Sequence, residues 1–282
     1  MHGSILLILS AVFLSLDCNG QRFGQKERIE DSLEFYRQKN KPEKILHFSE
    51  KLLAVTRKKK DPNREASLLQ TAGDAQRRLG QLDEAEKKLL KSLEIRQGNL
   101  GMGSPEAASV HFSLGNLYSR KGNFALAEFH YQKSLEIRKK ALGENHPDVA
   151  GSCYGLGNLY VTVGNYSEAE HHLLNSLQIS LLTADETDAK RADTYNAIGT
   201  LYTDWTRLQE AEKYYLKAIE SGKSQSVNLN PNLAYPYNNL GNLYETLGNY
   251  EKAKGCFLKS IEITKINLGE NHPDVADGYN NL

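Results

Sequence analysis

Catalytic machinery needs a few side-chain types at fixed spacings, and this chain of 282 residues supplies few of them, with 3 Cys and 8 His. It contains no Gly-rich phosphate loop, no Gly-x-Ser-x-Gly turn, no His-Glu-x-x-His and no Cys-x-x-Cys. His171 and His172 are adjacent, so on a helix their rings point about 100° apart rather than converging on a metal as an i,i+4 pair does. Both read as surface residues. Cys153 and Cys256 read as small, buried residues on different helices and not as a bridge. His-Pro-Asp occurs twice, at His146 to Asp148 and His272 to Asp274, where proline suits a first helical position and aspartate the positive helix end. The sequence therefore predicts no catalytic residue, no metal and no cofactor, and a protein that is not an enzyme and takes no small-molecule substrate.

Lys+Arg and Asp+Glu number 35 each, so the net charge is zero and no basic excess marks a nucleic-acid binder. The balance hides a polarity. Residues 21 to 100 hold 19 Lys/Arg against 13 Asp/Glu, and residues 101 to 282 hold 16 against 21. The run Arg57-Lys58-Lys59-Lys60 reads as a solvated loop, with an anionic contact as its alternative. Asn165-Tyr166-Ser167 is a glycosylation sequon that matters only in a eukaryotic host.

Residues 1–20 read as a removable export signal. The apolar run Ile5 to Leu16 is 12 residues long, too short to span a bilayer at about 20 residues but suited to a signal core. Cys18-Asn19-Gly20 places small residues before a cleavage point at Gln21, although no Lys or Arg precedes the run. The expected location is secreted or periplasmic. Membrane attachment enters only if Cys18 is lipidated, and Asp17 before it is not the small residue that lipidation usually wants.

What must position any functional residue is a repeat. Gly73, Gly115, Gly157, Gly199 and Gly241 are each 42 residues apart, with Leu-Gly-Asn-Leu-Tyr around Gly115, Gly157 and Gly241 and Ile-Gly-Thr-Leu-Tyr around Gly199. Twelve residues beyond each anchor glycine stands Ala85, Ala127, Ala169, Ala211 or Ala253; sixteen beyond stands Leu89, Tyr131, Leu173, Tyr215 or Phe257. Between them Gly-Asn at 122, 164 and 248 and Gly-Gln at 80 mark a helix stop followed by a new helix, with Thr206-Arg207 as the exception. Glycine on the first helix and alanine on the second let their axes approach, and Tyr118, Tyr160, Tyr202 and Tyr244 fill the space beside that contact.

This pattern resembles the tetratricopeptide repeat in its 42-residue, kinesin-light-chain-like form, over about residues 64 to 282. The resemblance implies an all-α, right-handed superhelical solenoid of antiparallel helix pairs. Repeats are expected at 64–104, 105–146, 147–188, 189–230 and 231–272, with a capping repeat at 21–63, where Leu33, Tyr36, Ile45, Leu53 and Val55 fit the pattern loosely, and the start of a truncated sixth at 273–282. The chain differs from kinesin light chains in its export signal and in lacking an extended heptad region.

The resemblance also implies a binding groove formed by the first helix of every pair. The family's geometry assigns to it Arg77, Arg78, Phe112, Asn116, Arg120, Tyr154, Asn158, Asn196, Asp204, Asn238, Asn242 and Glu245, with Asp74, Asp193, Thr162, Thr200 and Thr203 on the same face. Asparagine carries both donor and acceptor, so a ladder of them can pair with an extended peptide backbone; bridging neighbouring helices is its structural alternative. Arginines at the early end and carboxylates at the later end predict a ligand with acidic residues near repeats one and two and basic residues near three and four. The expected function is an exported protein-interaction scaffold for a protein or peptide partner. The alternative is the sensor or recruitment region of a larger enzyme, a caspase-like peptidase or a signalling kinase, with catalytic residues beyond 282.

Overall fold

The computed structural model describes residues 25–59, 61–183, 188–223 and 231–282. The expected leader 1–20, with Cys18, and Lys60 lie outside the described residues. Every regular element among the described residues is helical. The helices come in pairs joined by tight turns: α1 (Gln25–Gln38) and α2 (Pro42–Lys59), α3 (Pro62–Arg78) and α4 (Leu82–Leu100), α5 (Pro105–Arg120) and α6 (Phe124–Leu142). They continue as α7 (Pro147–Thr162) with α8 (Tyr166–Leu182), α9 (Asp188–Asp204) with α10 (Leu208–Lys223), α11 (Ala234–Thr246) with α12 (Tyr250–Leu268), and end in α13 (Pro273–Asn280). The chain divides within α6 into two compact units, 1–130 and 131–282.

Local chemistry sets the helix ends. Proline opens α3, α5, α7 and α13 at its tolerated first position. Asp61 and Ser104 cap the backbone N–H of Arg64 and Ala107. His146 and His272 do the same through Nδ1, accepting the N–H of Asp148 at 3.1 Å and of Asp274 at 3.3 Å. The two His-Pro-Asp tripeptides are thus helix starts in which the histidine is itself the cap. Within each pair the turn closes through a left-handed residue. Gly164 has φ +76°, and the Asn165 N–H returns to the Tyr160 carbonyl at 2.9 Å. Thr206 takes the same role at φ +59°, a conformation its branched Cβ resists, with the Arg207 N–H bonded to the Tyr202 carbonyl at 2.8 Å.

Gly73, Gly157, Gly199 and Gly241 sit under the large residue sixteen positions later. A Cβ on Gly157 would lie 2.5 Å from Leu173 Cγ, and one on Gly199 would lie 2.5 Å from the Tyr215 ring. Ala169 and Ala211, fully buried, let the same helices approach, so glycine makes room for a side chain as well as for an axis. In the first unit the core runs continuously from Leu33, Ile45, Leu52 and Leu53 of α1 and α2 into Leu68 and Leu69 of α3. In the second, Val149, Ala150, Cys153 and Ile179 pack with Leu135. Cys153 is a buried free thiol, raised to about 11 by that burial, and Cys256 is free and half-buried.

Buried arginines join one pair to the next. Arg96 reaches the Glu106 carbonyl at 2.7 Å, and Arg138, at the equivalent place 42 residues on, reaches the Asp148 carbonyl and the Ser152 hydroxyl, each at 2.9 Å. Each guanidinium therefore ties the end of a second helix to the first turn of the following helix.

Candidate functional site: the first-helix faces

In the first unit, side chains of the first-helix face around Gln70 and Asp74 bond one another. Gln70 on α3 donates to Ser109 and Ser113 of α5 at 2.9 and 3.1 Å, and Ser113 donates back to Asp74 at 3.0 Å. Burial raises the Asp74 carboxyl while Ser113, Arg77 and Arg78 oppose that shift. Arg77 stands 3.8 Å from Asp74, and Arg78 donates to the side chain of Asn40 in the α1–α2 turn. These two predicted groove cations are thus engaged within the protein. Phe112 and Asn116 are half-buried on α5, and Arg120 is exposed in its last turn.

In the second unit, α7, α9, α11 and α13 carry the predicted residues at successive repeat positions. The Asn239 amide donates to Asn196 Oδ1 at 3.1 Å and the Asn281 amide to Asn238 Oδ1 at 3.0 Å, both across 43 residues. Gln70 and Ser113 show the same separation. Asn196 and Asn238 therefore spend an acceptor on the next helix, which is the bridging role. Asn158 hydrogen-bonds the half-buried Tyr154 hydroxyl, whose pKa is raised by burial above all. Asn242 and Glu245 are exposed one turn apart on α11.

The carboxylates of this face differ from Asp74. Asp193 faces Tyr154 from the next first helix, retains solvent access, and is pushed up to about 6 by desolvation alone. The Asp204 carboxyl is raised by the same cause and lies close enough to Tyr215 to raise its hydroxyl. Neither makes a hydrogen bond or ion pair to another described residue. Two partly desolvated anions without a cation, beside a tyrosine hydroxyl and amides with remaining capacity, suit a ligand that brings positive charge and backbone polar groups.

The sequence reading missed a second repeated contact. Tyr118, Tyr202 and Tyr244 donate to Glu86, Glu170 and Glu212 of the preceding pair at 2.8, 2.6 and 2.7 Å, each across 32 residues. The signal was available, since Ala-Glu recurs at 85, 127, 169 and 211. It also placed His172 at the surface, whereas its ring is half-buried and stacks on Tyr160 at 5.6 Å, just as His130 and Tyr214 lie against Tyr118 and Tyr202 twelve positions before them. His171 is exposed as expected.

Family models described as tetratricopeptide repeat match residues 66–99, 106–181 with 153–224, and 234–274, together more than half of the chain. Among solved structures, the chain is similar to BtubC (BKLC) from P. vanneervenii, with 20% identity, 88% of this chain and 92% of that one covered, and a TM-score of 0.62. It is similar to the nearly identical TPR-like repeats of kinesin-light-chain type from Podosopora anserina, with 19% identity, coverage of 74% and 99%, and a TM-score of 0.59. It is also similar to NprR in complex with its cognate peptide NprX, with 18% identity, coverage of 99% and 78%, and a TM-score of 0.65. No curated protein matches the sequence.

Proposed function

The chain belongs to the tetratricopeptide-repeat family, and from that premise we propose that it is a non-enzymatic scaffold whose second unit holds an extended, basic segment of a partner protein on the face of α7, α9 and α11. The observation that carries this reading is Asp193, a carboxylate raised to about 6 by desolvation and left without a cation among the described residues. A lysine or arginine of the ligand supplies the missing charge there, with Asp204 and Glu245 continuing the acidic line. Tyr154, Asn158 and Asn242 offer polar contacts to the ligand backbone. NprR, which shares the fold, is solved with a peptide, and this supports a peptide as the ligand.

The test is fluorescence anisotropy with a pool of labelled ten-residue peptides that carry Lys or Arg at one fixed position. Asp193→Lys with Asp204→Lys should weaken binding at least about tenfold, a loss of about 1.4 kcal/mol. Equal binding by the variant refutes the site. We also propose that the chain is exported, on the strength of the apolar run Ile5 to Leu16 and the small residues after it. The intact mass of the protein from its native host tests this, since an uncleaved leader contradicts it.

A further inference from the structure

In the second, third and fourth repeats a ring lies over the tyrosine three residues after the anchor glycine. His130 stacks on Tyr118 at 5.3 Å, His172 on Tyr160 at 5.6 Å, and Tyr214 lies 5.4 Å from Tyr202. The fifth repeat has Cys256 in place of the ring, and the first repeat departs at both positions. Its corresponding residues are Gln76 and Lys88, joined by a 3.0 Å hydrogen bond from the ammonium to the amide oxygen. An open cleft of about 350 Å³ lies between α2 and α4, with Lys88 among its lining residues.

The cleft has a mixed lining. Its floor is Leu53 and Leu69, and its rim carries Arg57, Lys87, Lys88 and Lys91 against one carboxylate, Glu50. Lys88 is held in place by Gln76 and by Glu50 at 3.3 Å. Arg57 and Lys91 pair with Glu65 and Glu94, but these cations are 60% and 51% exposed, and water-screened pairs of that kind exchange partners at little cost.

We propose that this cleft is a second binding site, for a short acidic segment of a partner protein that sets one or two carboxylates beside an aliphatic side chain. The cations meet the carboxylates and the leucine floor meets the aliphatic group, which a purely polar anion leaves unused. The volume is near the lower end of ligand pockets, about 300 to 1,000 Å³, so it takes a few residues and not a whole helix. The site is confined to the first unit and does not depend on the basic-peptide face of the second.

The probe is a fluorescein-labelled peptide of alternating glutamate and leucine, titrated into the full chain, with a control in which glutamine replaces glutamate. Saturable binding of the acidic peptide is expected. Lys87→Glu with Lys91→Glu should weaken it at least about tenfold. Ala54→Trp, which places a ring in the cleft from one of its lining residues, should weaken it by a similar factor while the helical signal is retained. No saturable binding, equal binding of the glutamine control, or wild-type affinity in the charge-reversal variant overturns the proposal. Full displacement by millimolar inorganic phosphate does so too, because the site is then a bare anion contact.

Discussion

The Tyr202 hydroxyl donates to Glu170 Oε1 at 2.6 Å, and Arg207 closes the group, standing 3.2 Å from the same oxygen and 4.5 Å from the centre of the Tyr202 ring. Tyrosine, glutamate and cation thereby join consecutive helix pairs at a point where both pairs end in polar turns. In the first unit Tyr118, Glu86 and Lys121 form the same group, with Lys121 at 2.6 Å from Glu86. Tyr202→Phe leaves the ring packing and removes only the donor, so the expected cost is about 1 kcal/mol in urea unfolding. A neutral result would show that Arg207 alone satisfies Glu170.

The glycine under Leu173 gives a steric prediction. Because a Cβ on Gly157 would fall 2.5 Å from Leu173 Cγ, Gly157→Ala forces Leu173 or the helix axis to move. Overpacking of this kind costs about 1 to 3 kcal/mol, in spite of the better helix propensity of alanine. Adding Leu173→Ala should recover part of that loss, and an additive double variant would show that the two positions do not share the space.

Thr206 supplies a stabilising substitution. At φ +59° a branched residue is strained, and glycine occupies the equivalent turn position at 80, 122, 164 and 248. Thr206→Gly should therefore raise stability by about 1 kcal/mol, read as an increase in the unfolding midpoint. A decrease would mean that the threonine side chain contributes more than its backbone costs.

The buried histidine pair makes the first unit sensitive to acid. His111 and His130 meet Nδ1 to Nδ1 at 2.9 Å, and burial, reinforced by His111, lowers the His130 pKa to about 4. The folded state thus takes up this proton less readily than the unfolded chain, whose histidine titrates near 6.5. The stability is complete above that pH and is lost as pH falls from about 6.5 to 4, by about 3 kcal/mol. His130→Tyr, the residue type at the equivalent position 214, should flatten that part of the urea-stability profile. An unchanged slope would assign the acid sensitivity to carboxylates.

Helix pairing was legible in the sequence because it depends on residues inside one repeat: an anchor glycine, an alanine twelve positions on, a turn between them. Gln70 with Ser113, Asn196 with Asn239 and Tyr202 with Glu170 were not, since they join residues of different repeats. Their separations of 43 and 32 depend on how each pair is offset from the next, which a one-repeat register does not encode. The same limit explains Arg78, a groove cation by register that instead bonds Asn40 of the preceding turn. The offset assigned Asp193 to the first-helix face, but its desolvated state depends on its surroundings in the fold and is not encoded in a one-repeat register.

The most direct test of the basic-peptide face is a selection from an unbiased peptide library on the full chain, followed by affinity measurement of the selected peptides at pH 7.5 and pH 5. With Asp193 titrating at about 6, binding to its carboxylate should weaken as pH falls through that value. Selected sequences should be rich in Lys or Arg, with affinity that drops at least about tenfold in Asp193→Asn and little further pH dependence in that variant. Selected peptides without cations, or cationic peptides that bind Asp193→Asn as tightly as the unaltered protein, would contradict it.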